Sequence, residues 1–475
     1  MTKIRSKTVL AAALMVPLAF SAVSSAARAA DLLTSWQATR GYDPAFAAAR
    51  DALTAGAEKS KQGDALILPQ VTLSGNADHL NERFRAGGSG AADSTLSGSR
   101  SGVGVSLAQP VFDAAAFVTR DQFRKQSLEA QVQYQAAEQD LILRVAKAYF
   151  EVLLARENVE LVEEQEKAVG GQLARAKKTF EVGVSTITDT NEAQARFDAI
   201  IAADIAARND LEIKETAYKR LTGLDGKQLV PISERPPTSP DPATLDAWMA
   251  RVDNNLSIRA AALGLEIAQI DIQRYRLVNS PVLSFVASYA HRWDSGGISS
   301  SGGRDRTGTG TIGLQLSIPL FTGGARSSLL RQAVALRDQQ SHTLDATKRD
   351  SEQAVQQFFL NVESGAAQIR ALEQARVSSQ SLLASSKTGR DVGVRTTIDV
   401  LNAQQAYYQT LYNLVGARYT YLYSRLQLAA AVGGLDGAEL EKVNGWLAGS
   451  APGSAGTGAA AAAYPAEKNG SRTNR

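Results

Sequence analysis

Between residues 141 and 180 apolar or small side chains recur in steps of four and three. They are Leu141, Val145, Ala148, Val152, Ala155, Val159, Val162, Val169, Leu173, Ala176 and Phe180, and Glu166 alone breaks the register. Such steps hold a seam on one side of an α-helix, so this stretch predicts a coiled-coil partner. A later stretch keeps Val355, Phe358, Val362, Ile369 and Leu372, with Arg376 where the first carries Glu166. Elsewhere the period is two. Leu283, Phe285, Ala287, Tyr289, His291 and Trp293 alternate with Ser284, Val286 and Ser288, and Ile312, Leu314, Leu316 and Ile318 with Gly313, Gln315 and Ser317. Val71 and Leu73, then Val103, Val105 and Leu107, repeat the pattern against Gly102, Gly104 and Ser106. These are strands of about 10 residues with one apolar face, as in a transmembrane barrel. A half-buried soluble sheet alternates in the same way, and the pattern leaves both open. Tyr289 and Trp293 near a strand end suit an interfacial aromatic girdle, and the loops, about 81 to 100 and 294 to 308, suit exposed tips.

Proline placement bounds the helices, because a proline inside one costs about 3 kcal/mol. None occurs between Pro110 and Pro231 or between Pro319 and Pro452. The chain also repeats itself. Val182-Gly183-Val184-Ser185-Thr186-Ile187-Thr188-Asp189 to Gln194 returns as Val392-Gly393-Val394-Arg395-Thr396-Thr397-Ile398-Asp399 to Gln404, and Gln109-Pro110-Val111-Phe112 as Ile318-Pro319-Leu320-Phe321. Each unit predicts a helix of about 35 residues, a β-hairpin, a helix of about 65 to 70, a glycine turn at Gly183 or Gly393, and a returning helix of about 35. The long helix would span about 100 Å, with Gly170-Gly171 as a soft point in the first copy. The division is a leader over 1–29, repeats over 30–230 and 243–434, a proline-rich linker over 231–242, and a C-terminal segment over 435–475. Its low-complexity part, from Gly445 onward, is expected to stay disordered.

Composition then narrows the function. The chain has 475 residues, 44% hydrophobic, and no cysteine, which excludes a disulfide scaffold, a lipid-anchored bacterial lipoprotein and cysteine chemistry. Its formal charge of +3 comes from the ends, since residues 1–29 carry four basic groups and no acid. The interior is mildly acidic, which removes the electrostatic motive for binding nucleic acid. Residues 1–29 combine a basic start, an apolar run from Val9 to Phe20 and Ala27-Arg28-Ala29, as a cleaved secretory signal does. No later stretch is apolar enough for a membrane-spanning helix. His79, His291 and His342 are the only histidines, and neither Gly102-x-Gly104 nor Gly323-Gly324 forms a phosphate-cradling loop. No catalytic apparatus, cofactor or metal cluster is visible.

Two hairpins supply four strands, whereas a closed barrel in lipid needs at least about eight. Two copies would give a barrel filled by its own side chains, and three would give twelve strands with a lumen. A conduit therefore favours a homotrimer.

On these residues the chain resembles the TolC family of outer-membrane export channels. The resemblance runs to about Gly434 and rests on Tyr42-Asp43-Pro44, Gln109 to Phe112, Val182 to Gln194, Ile318 to Arg326 and Val392 to Gln404. It implies a mainly α fold with a transmembrane β-barrel. Three protomers would share one 12-stranded barrel, continued by a periplasmic coiled-coil tunnel. It further implies the outer membrane of a Gram-negative bacterium as location, its lipid as surroundings, and a periplasmic adaptor and an inner-membrane ABC or other translocase as partners. The resemblance places Asp399 in a carboxylate ring at the closed periplasmic end, and Asn402 where the family has a second gate carboxylate. It also implies closed-state links from Arg395 to Thr188 and from Arg390, which replaces a tyrosine, to Asp189. Thr186-x-x-Asp189 and Thr396-x-x-Asp399 equally read as capping boxes, and Val182, Gly183, Val184, Val392, Gly393 and Val394 as plain turns or as the docking site for adaptor hairpins. The function expected is passive export, as type I secretion or efflux. The competing expectation is a soluble periplasmic coiled-coil scaffold or adaptor.

Overall fold

A computed structural model describes residues 30–84, 94–232 and 242–447. The leader, most of the proline-rich linker and nearly all of the low-complexity tail lie outside the described residues. The first helical arm is two helices, α1 (Leu32–Tyr42) and α2 (Pro44–Ala65), rather than one of about 35 residues. Pro44 has no N–H for the helical ladder and holds Asp43 extended, at ψ 119°. Asp43 ends α1 and caps α2 by accepting a bond from Phe46 N at 3.2 Å. The second arm is also split. A short α5 (Leu245–Met249) and a 3-10 turn precede α6 (Leu256–Arg276), whose N-cap Asn255 accepts from the Ser257 and Ile258 amides.

Each arm leads into a hairpin: β1 (Gln70–Phe84) with β2 (Ser94–Asp113), and β3 (Val282–Gly296) with β4 (Arg304–Ser317). A long helix follows each hairpin, α3 (Ala114–Glu181, 68 residues) and α7 (Ala325–Asp391, 67 residues). After a tight turn, α4 (Ile187–Thr222) and α8 (Thr397–Ala431) run back, and α9 (Gly437–Asn444) is the last helix among the described residues. The long helices match the expected lengths, about 100 Å each at 1.5 Å per residue. α3 stays helical through Gly170-Gly171, the expected soft point. A β-carbon at Gly170 would stand 3.2 Å from the Phe197 ring, so the glycine serves the close approach of α4.

The strands form one antiparallel sheet in the order β1-β2-β3-β4. They hold 15, 20, 15 and 14 residues, longer than the expected ten, because pairing continues past the apolar stretch into serine, glycine and charge. Residues 81–84, 94–100, 294–296 and 304–308, expected in loops, are therefore strand.

The seam predicted on α3 is buried at Leu141, Val145, Val152, Ala155, Val159, Val169, Leu173 and Ala176, while Phe180 at its end is exposed. The main core gathers where the helices meet the chain ends, around Tyr149, Tyr218, Tyr421, Leu422, Leu426 and Leu440. Tyr149 Oη donates to the Val230 carbonyl at 2.7 Å, and Asn444 accepts from Leu32 N at 3.0 Å while donating to Asp31 at 2.9 Å. Burial raises the Asp31 carboxyl, but the bonds from Thr34 and Asn444 outweigh it and hold the group below its ordinary value. Leu447 is buried and bridges to Ile232, so the ordered chain extends past Gly445, where the low-complexity tail was expected to begin. Among the described residues no helix is long and apolar enough to cross a membrane.

Candidate functional site

The two helix-to-helix turns are built alike. At the end of α3, Gly183 adopts φ 77°, its N–H donates to Phe180 O and that of Val184 to Thr179 O, both at 2.9 Å. At the end of α7, Gly393 adopts φ 82°, with the same pair of bonds to Arg390 O and Gly389 O at 3.0 and 2.8 Å. This double closure satisfies the last carbonyls and requires a left-handed residue, which glycine supplies without strain. It also turns the flanking valines outward: Val184 and Val394 are 78% and 76% exposed, and Val182 and Val392 nearly as much.

Both returning helices open with capping boxes. Thr186 Oγ1 accepts from Asp189 N at 3.2 Å and Asp189 accepts from Thr186 N at 3.1 Å; Thr396 and Asp399 do the same at 3.2 and 2.9 Å. The Thr396 amide and hydroxyl, with Arg395 beside them, hold the Asp399 carboxyl below its ordinary value.

Around these turns lies a cleft of about 530 Å³ whose walls include Gln172, Arg175, Asp189, Arg390, Asp391 and Arg395. Thr188 is not part of its wall. Within one chain the expected contacts are not formed. Arg390, only 13% exposed, donates to Gln172 and to Asp391 at 2.9 Å rather than to Asp189. Asp391 also takes Arg175 at 3.3 Å, so α3 and α7 are tied through four residues. Arg395 lies 3.9 Å from Asp399, one turn further on, rather than at Thr188. Asn402 is likewise engaged, since Arg196 on α4 donates to it at 3.1 Å and to Gln405 at 2.8 Å. Sequence reasoning missed Gln172, Arg175, Arg196, Asp391 and Gln405. The available signal was inequality between the two copies, because Phe180 and Ala406 stand where the other copy has Arg390 and Arg196.

At the opposite end, the register puts the apolar positions of all four strands on one face. Val71, Leu107, Ala287 and Ile312 form one cross-strand row, and Leu73, Val105, Tyr289 and Gly310 the next. Phe285 stands opposite Leu314, and Leu283 opposite Leu316. This face is bare: Leu73, Ile312 and Leu314 are each about 70% exposed. Further along it, Tyr289, His291 and Trp293 pack ring on ring.

The other face carries Ser, Thr, Gly and charge. Asp78, Arg100, Asp294 and Asp305 are register neighbours across it. Asp294 is buried between Arg100 at 2.8 Å and Arg292 at 3.1 Å. The β3–β4 connection, expected as an exposed tip, folds back onto this face: Ser300 Oγ donates to Asp305 at 2.8 Å, Ser299 is buried, and Ile298 sits where only a glycine, Gly98, leaves room. The histidines do not form a common site. His79 bonds Ser97 and Ser99 at 3.3 Å, His291 lies between aromatic rings four residues lower in register, and His342 is exposed on α7.

Comparison with known proteins gives a consistent result. Residues 36–224 and 251–434 match the family model described as outer membrane efflux protein. The chain is 33% identical to the outer membrane protein TolC of Vibrio cholerae, over 91% of this chain and 98% of that protein. It is 31% identical to the alkaline protease secretion protein AprF of Pseudomonas aeruginosa, over 87% and 86%. Among solved structures, the outer membrane protein VceC of Vibrio cholerae superposes with a TM-score of 0.72 at 18% identity, covering 85% of this chain and 96% of that one. The Campylobacter jejuni CmeC outer membrane channel gives 0.71 at 17%, covering 88% and 90%. These likenesses show the fold: mainly helical, with a small antiparallel sheet.

Proposed function

Because the chain belongs to the outer membrane efflux protein family, and so is an outer-membrane channel-tunnel of efflux and type I secretion systems reaching into the periplasm, we propose that it conducts passively as a homotrimer. Three sheets join edge to edge, β4 of one protomer to β1 of the next, as one 12-stranded barrel. The single observation that carries this is a four-stranded sheet with two edges and a bare apolar face. Such a sheet suits lipid only once its edges are closed. The face with Leu314 meets lipid and the face with Gln315 lines the lumen. From Ile318 to Gly308 the apolar stretch runs about 33 Å along the strand at about 3.3 Å per residue. Tilted by about 40°, it stands about 25 Å tall, the height of a transmembrane barrel's apolar band.

The same proposal takes residues 1–29 as an export leader and the two halves, 30–230 and 243–434, as copies of one unit whose long helices assemble into the tunnel. Asp399 rings its periplasmic end, with Asn402 beside it. The links of Arg395 to Thr188 and Arg390 to Asp189, which one chain does not make, hold the assembled end closed. Val182, Gly183, Val184, Val392, Gly393 and Val394 present apolar tips to a periplasmic adaptor, and an inner-membrane translocase supplies the energy. Relatives are named both for protease secretion and for efflux, so the duct itself is taken to select little. The scaffold alternative falls with membership of an outer-membrane family.

The test is fractionation. The proposal expects the chain in the outer membrane as a heat-modifiable trimer. Extraction by salt or alkali as a monomer would refute it.

A further inference from the structure

We propose that the lipid-side face of the sheet, beyond its aromatic girdle, is a binding surface for the phosphate groups of membrane lipids. The observation is that every carboxylate in the outer parts of the described strands lies on one face of the sheet. In the outer parts of the strands the carboxylates are Asp78, Glu82, Asp294 and Asp305, and the alternation of β-strand side chains puts all four on the face opposite Leu314. The arginines on that face, Arg100 and Arg292, are both engaged by Asp294. The lipid-side face carries Arg83, Arg304 and Arg306 in the same outer region, with His79, and no acid among its strand positions. Among the described residues none of these three arginines has an ion-pair partner.

Their height fits a headgroup. Arg306 stands opposite Trp293, immediately beyond the Gly308 row that ends the apolar band, and Arg304 stands opposite Ser295, one row further out. A guanidinium stays charged, so beside hydrocarbon and with no carboxylate in reach it calls for an anion or water at its donors. A phosphate group accepts its planar fork in a bidentate way. Ser97, Ser99 and Ser101 lie on the same face and offer further hydroxyl groups. A protein partner would need an apolar or acidic counterpart above the membrane; phosphorylated lipid is present at this height all around a barrel.

The edges sharpen the proposal. Arg304 and Arg306 are on β4, and His79 and Arg83 on β1, the two edge strands. In the trimer proposed above, on which this part rests, each seam therefore carries three arginines and a histidine on edge strands from two protomers, three times around the barrel.

Native mass spectrometry of the detergent-solubilised protein, titrated with bisphosphorylated lipid A and with its dephosphorylated form, tests this. The acyl chains are identical, so any preference reports the phosphates. The expected result is a preference of about tenfold or more for the phosphorylated lipid, lost in Arg304→Gln/Arg306→Gln and weakened in Arg83→Gln, with the oligomer mass unchanged. Equal binding of both lipids, or a double variant that keeps the preference, overturns it. The trimer is judged separately in the same spectrum. A single-chain mass would overturn the seam, whereas the β4 arginines would still show or fail to show the phosphate preference.

Discussion

Replacing Leu314 with arginine puts a guanidinium near the middle of the apolar band, about 10 Å from its Ile318 end and about 15 Å from its Gly308 end by the strand rise and tilt used above. Phe285 stands directly opposite, Ile312 and Leu316 flank it on the same face, and no carboxylate shares that face. A charge at the midplane of a transmembrane barrel costs about 2 to 4 kcal/mol, roughly a 30-fold to 1,000-fold shift per chain in the folding equilibrium. Three copies fall in every trimer, so assembled protein should drop sharply. Gln315→Arg is the matched control: it is the next residue on the same strand, pointing to the polar face opposite Ser284, and should cost little. Trimer mobility in unheated gel samples, with urea titration of the purified trimer, reads both. Equal tolerance at the two positions would refute the assignment of faces, and intolerance only at Gln315 would reverse it.

Asp399→Asn should weaken block by a polyvalent cation applied from the periplasmic side, and unchanged block in bilayer recordings would leave the residue as a cap alone. Because the folded Asp399 carboxyl titrates below its ordinary value, the capping contribution is full above that ordinary value and fades as the pH falls through the lowered one; hydrogen exchange at the start of α8 should follow that order. Arg390→Ser with Arg395→Ser should raise single-channel conductance without changing trimer yield, each alone less so; unaltered conductance would mean that helix packing sets closure. Tyr149→Phe leaves the buried Val230 carbonyl without its donor and should cost about 1 to 3 kcal/mol in urea unfolding, whereas a loss under 0.5 kcal/mol would show that the chain ends are held by packing instead.

The long elements were legible because their signals are local and cumulative. A heptad seam over forty residues and a two-residue period over eight each repeat one requirement many times, and both survive in α3 and in β3 and β4. The split arms were less visible, since the decisive feature is one peptide unit, Asp43-Pro44, inside a run that otherwise favours helix. Strand ends were misjudged for a different reason. Beyond the apolar band both faces become polar, so alternation disappears while backbone pairing continues to Phe84 and Gly296. The capping boxes could be read directly from Thr-x-x-Asp. The partners of Arg390 and Asn402 could not, because Gln172 and Arg196 lie more than 200 residues away and meet them only through helix packing.

The central claim, three chains lining one pore, can be measured with trimers of mixed subunits. The chain has no cysteine, so Thr311→Cys on the polar face gives a single reactive site, opposite Ser288. Wild-type and Thr311→Cys chains are co-expressed, and single-channel current is recorded while a bulky thiol reagent is added. A shared lumen predicts four current levels, for none, one, two or three modified chains. Two levels only, open and blocked, would mean that each chain conducts alone, and no change despite modification confirmed by mass would put Thr311 outside the conducting path; either result contradicts the account.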